Sequence, residues 1–250
     1  MQFYSITDCG KQRERNEDFC VAKLIGEYTV LILADGMGGH NGGETASQKA
    51  VETVFTFLSD SLREKLLPGQ IMLLLGDALE KANSEIFALS KENKRLSGMG
   101  TTAEVCIISK GTAYIAHIGD SRVYKITGKK GIRQLTKDHS LVEYMVENGT
   151  ITAEEASSHP QKNVITRALG IGPKTDADIF FEKLGKNDAL LLCSDGLSNM
   201  IDEETILKVM SSPVSAEEIA KTLVRLANEA GGTDNITAIV LTPGQEEENL

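Results

Sequence analysis

The chain has 250 residues, 41% hydrophobic and 25% charged, an ordinary balance for a globular protein long enough to bury a sizeable core. Its apolar runs, such as 71–75 and 189–193, fall far short of the ~20 residues that span a bilayer, and the amino-terminal MQFYSITDCG has neither the basic nor the apolar stretch of a secretory signal. With 26 basic and 36 acidic residues the net charge is −10, which repels nucleic acid at long range.

A first strand candidate ends at Asp8, and a second opens at Glu17 and Asp18. Residues 27–33 are β-branched and apolar, and predict a buried strand that ends at Asp35 and Gly36. After the glycine-rich loop DGMGGHNGGE, apolar residues recur at helical spacing over 44–58 and again over 70–89. Four short strand candidates follow at 102–109, 112–118, 122–126 and 132–135. Their short connections predict an antiparallel meander. From 138 to 168 the pattern breaks into short helical pieces around Gly149 and Pro160, and reads as a mobile excursion over one end of the sheet. Strands return at 179–183 and 188–193. Helices are predicted over 203–210 and 216–230, the second with Ser215 as N-cap and Gly231-Gly232 as its stop. A last strand covers 235–241. The final GQEEENL, residues 244–250, reads as an acidic solvated tail. Grouped helices and meandering strands point to an α+β protein with sheet packed on sheet and helices outside.

Cys9, Cys20, Cys106 and Cys193 are far apart and form no CxxC. They read as reduced thiols of a cytoplasmic protein.

The aspartates carry the most information. Asp8, Asp18, Asp35, Asp120, Asp195 and Asp234, with Glu17, fall at strand termini beside glycine or another small residue. One such aspartate is an ordinary turn residue. If the termini converge, the charges repel, and carboxylates without basic partners are tolerated when a cation lies among them. Oxygen ligands without a His/Cys cluster favour Mg²⁺ or Mn²⁺ over Zn²⁺. The glycine-rich loop is not a phosphate-binding Walker loop, because no GK[ST] follows.

At these residues the sequence resembles the metal-dependent Ser/Thr protein phosphatases, the PPM or protein phosphatase 2C family, in its compact bacterial form. The matching segments are TDCGKQRERNED, ADGMGGHNGGE, GMGTT, HIGDSRVY, LTKDHSLV, NVITRALG, LLCSDGLSN and GGTDNIT, in the family's order and over nearly the whole chain. The resemblance implies a four-layer α-β-β-α sandwich, two antiparallel sheets flanked by helix pairs. It implies one catalytic domain over 1–243, a flap at about 140–168 and the tail beyond. Two Mn²⁺ or Mg²⁺ ions would lie at one end. Asp35 would bridge them, the Gly36 carbonyl would bind one, and Asp195 and Asp234 the other. Asp18 would act directly or through water, with Glu17 beside it. Asp120, sharing Asp195, would hold a third ion, and Asp8 would support from behind.

Arg13 matches the family's phosphate-binding arginine, four and five residues before the acidic pair. The histidine that some members carry directly after the DG pair is replaced here by Met37; His40 and a metal-bound water are the candidate general acids. His117, on an apolar strand, is expected to be structural, and His139 and His159 local packing or capping groups. The implied activity is hydrolysis of phosphoserine and phosphothreonine by a metal-bridging water. Its expected partners are phosphoproteins, in opposition to a bacterial Ser/Thr kinase, with no nucleic acid and no membrane. A monomer is the default, since no coiled-coil heptads occur. The rival readings are a phosphoprotein-binding pseudophosphatase and a two-metal nuclease.

Overall fold

The computed structural model describes residues 1–38, 42–62, 65–128 and 131–243. His40 and the tail at 244–250 lie outside the described residues. Strand β3 (Tyr28–Met37) is apolar on both faces, and this sets the layers. Val30, Ile32 and Ala34 join a core shared with two long helices, α1 (Gly42–Ser61) and α2 (Pro68–Glu92). Leu31 and Leu33 join a different apolar layer, between two sheets.

The first sheet has the order β2 (Asp18–Ile25), β3, β5 (Ala103–Ser109), β6 (Thr112–Ile118), β9 (Asp178–Lys183), with the two-residue strand β4 (Gly100–Thr101) beside the end of β3. The second has the order β1 (Gln2–Asp8), β11 (Ile236–Thr242), β10 (Asp188–Cys193), β7 (Arg122–Thr127), β8 (Ile132–Gln134). All of these pairings are antiparallel. Leu190, Leu192, Ile239 and Leu241 of the second sheet meet Leu31, Leu33, Cys106 and Ile115 of the first. On the second sheet's outer face Leu191, Ala238 and Val240 are covered by α6 (Glu203–Met210) and α7 (Ala216–Glu229). The order is helix, sheet, sheet, helix. Ser215 caps α7 by accepting from the Glu218 amide at 3.2 Å, while Glu218 reaches back to the Ser215 amide.

The predicted meander is wrong at one place. β5 pairs with β6, and β7 with β8, but β6 and β7 belong to different sheets. The three residues 119–121 carry the chain across. Gly119 sits at φ +119°, and a Cβ there would lie 2.4 Å from the Thr102 side chain. The Thr102 and Ser121 hydroxyls bond at 2.9 Å and pin the crossing. A short connection limits distance, not sheet membership, and with two stacked sheets the nearest strand end can lie in the other layer.

Two termini also differ from expectation. β3 continues past Asp35 to Met37, because β4 supplies a partner in the register Gly36 to Thr101. Asp195 does not end β10; it opens a short helix, α5 (Asp195–Ser198), after Ser194. The excursion forms α3 (Leu141–Glu147) and α4 (Ala153–Ser157), with its base closed by the bridge of Ser140 to Ile165. Among the described residues no helix is long and apolar enough to cross a membrane.

Candidate active site

The amino-terminal loop between β1 and β2 is fastened to the start of β11. The Lys11 and Gln12 amides donate to the Gly232 carbonyl at 2.8 and 3.2 Å. The Asn235 side chain makes three further bonds: its amide donates to the carbonyls of Cys9 (3.0 Å) and Arg15 (2.8 Å), and its oxygen accepts from the Glu17 amide (2.8 Å). Gly10 fits this seam because a Cβ there would stand 2.1 Å from the Asp234 carbonyl. Arg13 is thereby carried to Asp234, with Nη2 to Oδ2 at 2.8 Å. Asn235→Ala is expected to cost about 2–3 kcal/mol, since it deletes three bonds and leaves backbone groups without partners. The check is thermal melting; an unchanged midpoint would contradict this role.

Asp35 is placed by its backbone. Its amide donates to Thr102 Oγ1 at 2.9 Å, and its carbonyl accepts from the Thr102 amide and the Thr101 hydroxyl, each at 2.9 Å. Gly36 lies under the first turn of α1, where a Cβ would meet the Gly43 carbonyl at 2.1 Å. Gly43 in turn leaves room for the Glu17 carboxylate. Asp18 stands directly across from Asp35 in the β2–β3 register. Its Oδ2 accepts from Ser194 Oγ at 2.8 Å and Thr237 Oγ1 at 2.7 Å, so it also ties the two sheets together. Gly196 lets α5 approach β11, a Cβ there lying 2.0 Å from the Asn235 carbonyl.

These elements bring Arg13, Glu17, Asp35, Gly36, Met37, Asp120, Asp195 and Asp234 to the wall of one cleft of about 260 Å³, with Asn163 and Ile165 of the excursion on its other side. Asp18 lies behind that wall. The carboxylates act on one another. Burial and then the charges of Asp18, Asp195, Asp120 and Asp234 hold the Asp35 carboxyl well above its ordinary range. Burial, then Asp195 and Asp234, push Asp18 up to about 7 against its two hydroxyl bonds. Burial, then Asp195 and Asp138, do the same to Asp120, also to about 7. Asp195 rises to about 6 through burial and Asp234, opposed by Arg122 and Arg13. Glu17 is raised by burial, with Arg13 pulling the other way. Arg13 and Arg122 thus lie near enough to temper the repulsion within the cluster.

Two carboxylate oxygens here, Asp18 Oδ1 and Asp120 Oδ1, are buried without a hydrogen-bond partner. Unpaired buried acceptors among mutually repelling acids suit a hard divalent cation. Among the described residues no three His, Cys, Asp or Glu side chains stand arranged to hold an ion by themselves. Ligation here would need small side-chain adjustments, with backbone oxygen and water completing the shell.

Asp8 does not reach the cleft. Its Oδ1 accepts from the Gly10 amide at 2.9 Å and from Asn228 Nδ2 at 3.0 Å, tying the loop to α7. His40 lies outside the described residues. His117 is fully buried against Glu104, His139 accepts from the Gly119 amide at 3.1 Å, and His159 accepts from the Gln161 amide. Sequence reading assigned no role to Asn235, Thr101, Thr102, Ser194 or Thr237. Their signal was position: each lies within or beside the quoted segments GMGTT, LLCSDGLSN and GGTDNIT.

Comparison with known proteins gives a consistent picture. The model of the family described as protein phosphatase 2C matches residues 7–236. The serine/threonine phosphatase stp of Listeria monocytogenes is 39% identical over 239 residues, 94% of this chain and 93% of that protein. Protein phosphatase PhpP of Streptococcus pneumoniae is 39% identical over 99% of both chains. The catalytic domain of the serine/threonine protein phosphatase PstP, solved in complex with two manganese ions, superposes with a TM-score of 0.85 at 35% identity, over 96% of this chain and 97% of that one.

Proposed function

The chain belongs to the protein phosphatase 2C family, and on that premise we propose that it hydrolyses phosphoserine and phosphothreonine in proteins with the help of divalent cations. The observation that carries this reading is the meeting of Asp35 of β3, Asp195 at the start of α5 and Asp234 just before β11 in one cleft with Arg13. Asp35 would hold two ions, Gly36 one of them, and Asp195 and Asp234 the other. Asp120 and Asp195 would hold a third, and Asp18 would ligate directly or through water. When bound, such ions acidify a water molecule that attacks phosphorus and offset charge on the phosphoryl oxygens. The structural relative PstP, with its two manganese ions, supports Mn²⁺ among the candidates.

The chain's own residues do the rest. Arg13 lies at the mouth of the cleft with its side chain about half exposed, at 52%. Its guanidinium can present two parallel N–H groups to a phosphoryl group. Thr101 and Thr102 hold the backbone of Asp35, and Asn235 fastens the loop that carries Arg13. The walls around the site exclude bulk water on the sheet side, where Ser194 and Thr237 are fully buried.

The test is a metal-titrated assay on phosphoserine, phosphothreonine and phosphotyrosine peptides. Hydrolysis of the first two should rise with Mn²⁺ and vanish with chelator. Equal turnover in chelator would sink the reading. Targets of a Ser/Thr kinase are the proposed substrates, and the free state of all four cysteines fits a reducing cytoplasm. A monomer is proposed.

Asn163 and Ile165 line the cleft from the excursion, which supports a role for residues 140–168 in choosing substrates. Exchange of that segment for a relative's should change the ranking of phosphopeptides by kcat/KM. An unchanged ranking would remove the segment from the account.

A further inference from the structure

Arg13 and Asp234 come from opposite ends of the chain, 221 positions apart, yet their contact is built rather than incidental. The loop that carries Arg13 is bonded to Gly232 and Asn235, the neighbours of Asp234, by five hydrogen bonds of 2.8–3.2 Å. Both carboxylate oxygens of Asp234 are engaged: Oδ2 by Arg13 and Oδ1 by the Asn235 amide at 2.8 Å. A cation that takes Asp234 as a ligand must approach an oxygen already facing a guanidinium, and like charges at such range repel.

We propose that Arg13 and a divalent cation compete for the Asp234 carboxylate, so that filling the cleft with metal releases this arginine for the phosphoryl group. The proposal rests on the metal-dependent reading above and adds a coupling to it. Arg13 has two alternative anionic partners within the same cleft, the aspartate and the phosphate. It cannot serve both fully. Metal uptake shifts it toward phosphate, and by linkage an anion that draws Arg13 away raises the affinity for metal by the same factor.

The experiment is calorimetric titration of Mn²⁺ into the full chain, without substrate. Arg13→Ala and Arg13→Gln should each bind Mn²⁺ about three- to tenfold more tightly than the wild type, as expected for loss of an exposed competing cation. Arg13→Lys keeps the charge and should stay within about twofold of wild type. Arg15→Ala, two positions along the same loop, should do likewise, so a general loss of positive charge is distinguished from the Asp234 contact. In an Asp234→Asn background the Arg13→Ala effect should disappear. Circular dichroism reports whether each variant folds. Unchanged or weaker Mn²⁺ binding in Arg13→Ala and Arg13→Gln overturns the competition, as does equal tightening in Arg15→Ala. If the wild-type chain takes up no Mn²⁺, the metal-dependent reading itself fails, a different result from wild-type binding that the variants leave unaltered.

Discussion

Asp35→Asn should lower turnover of a phosphopeptide at saturating Mn²⁺ by on the order of 10³-fold, the scale on which a preorganised charged or donor group at a reacting centre contributes. The substitution is nearly isosteric. The backbone at position 35 is held by Thr101 and Thr102 through groups that asparagine retains. Misplacement is therefore a poor explanation for the loss, and removal of the negative charge is the good one. The same change should raise the melting temperature measured in chelator. Asp35 is raised well above its ordinary range by burial and by four neighbouring aspartates, so its ionised form at neutral pH costs folding free energy. An inactive but more stable variant is the expected pair of results, a trade of stability for activity at one residue. Activity within tenfold of wild type at saturating metal would remove Asp35 from the centre of the mechanism.

Glu104→Ala should cost about 3–5 kcal/mol, because it leaves His117 buried without its partner, a melting shift of roughly 10 °C for a chain of this length. Glu104 and His117 face each other across β5 and β6, both fully buried, with Oε1 and Nδ1 2.6 Å apart. His117 Nε2 lies 2.8 Å from the Lys137 carbonyl, which can only accept, so Nε2 carries a hydrogen. Burial works against a charged imidazole, but the Glu104 carboxylate prevails and pushes His117 up to about 9. Burial pushes Glu104 up to about 7 despite His117. Both shifts have the same sign. The folded chain keeps protons that an unfolded histidine releases near 6.5 and an unfolded glutamate near 4.5. The histidine's contribution is complete below pH 6.5 and lost as pH rises through about 9. Glu104→Gln can still donate to a neutral His117 Nδ1, so it should fold with a smaller penalty and a flatter alkaline limb. Melting curves of the three proteins between pH 6 and 9.5 provide the check. Parallel curves for wild type and Glu104→Gln would show that the pair does not bind the proton.

Much of this was legible in the residues before any coordinates. The buried strand at β3, both long helices and the capped α7 follow from apolar periodicity and from Ser215 as N-cap, which are local signals. The carboxylates could be singled out because each falls beside a small residue at or near an expected strand end, and the ordered motifs pointed to the family. The crossing at 119–121 was not legible. A three-residue turn has the same composition whether it joins neighbours in one sheet or strands in two. Nor was the contact of Arg13 with Asp234, since nothing in spacing relates positions 221 apart. The bonds of Asn235 were hidden for the same reason: an asparagine after an aspartate looks like turn chemistry until the loop it clamps is in place.

The chain by itself determined which segments bury two faces, which bury one, and which residue types could do chemistry, because burial period and side-chain chemistry are properties of neighbours in sequence. Only the tertiary structure decided which acids share a cleft, which of them faces an arginine, and which histidine is locked to a glutamate. Those are distances between strand ends, and they are set by how two twisted sheets stack, a long-range outcome that no local pattern contains.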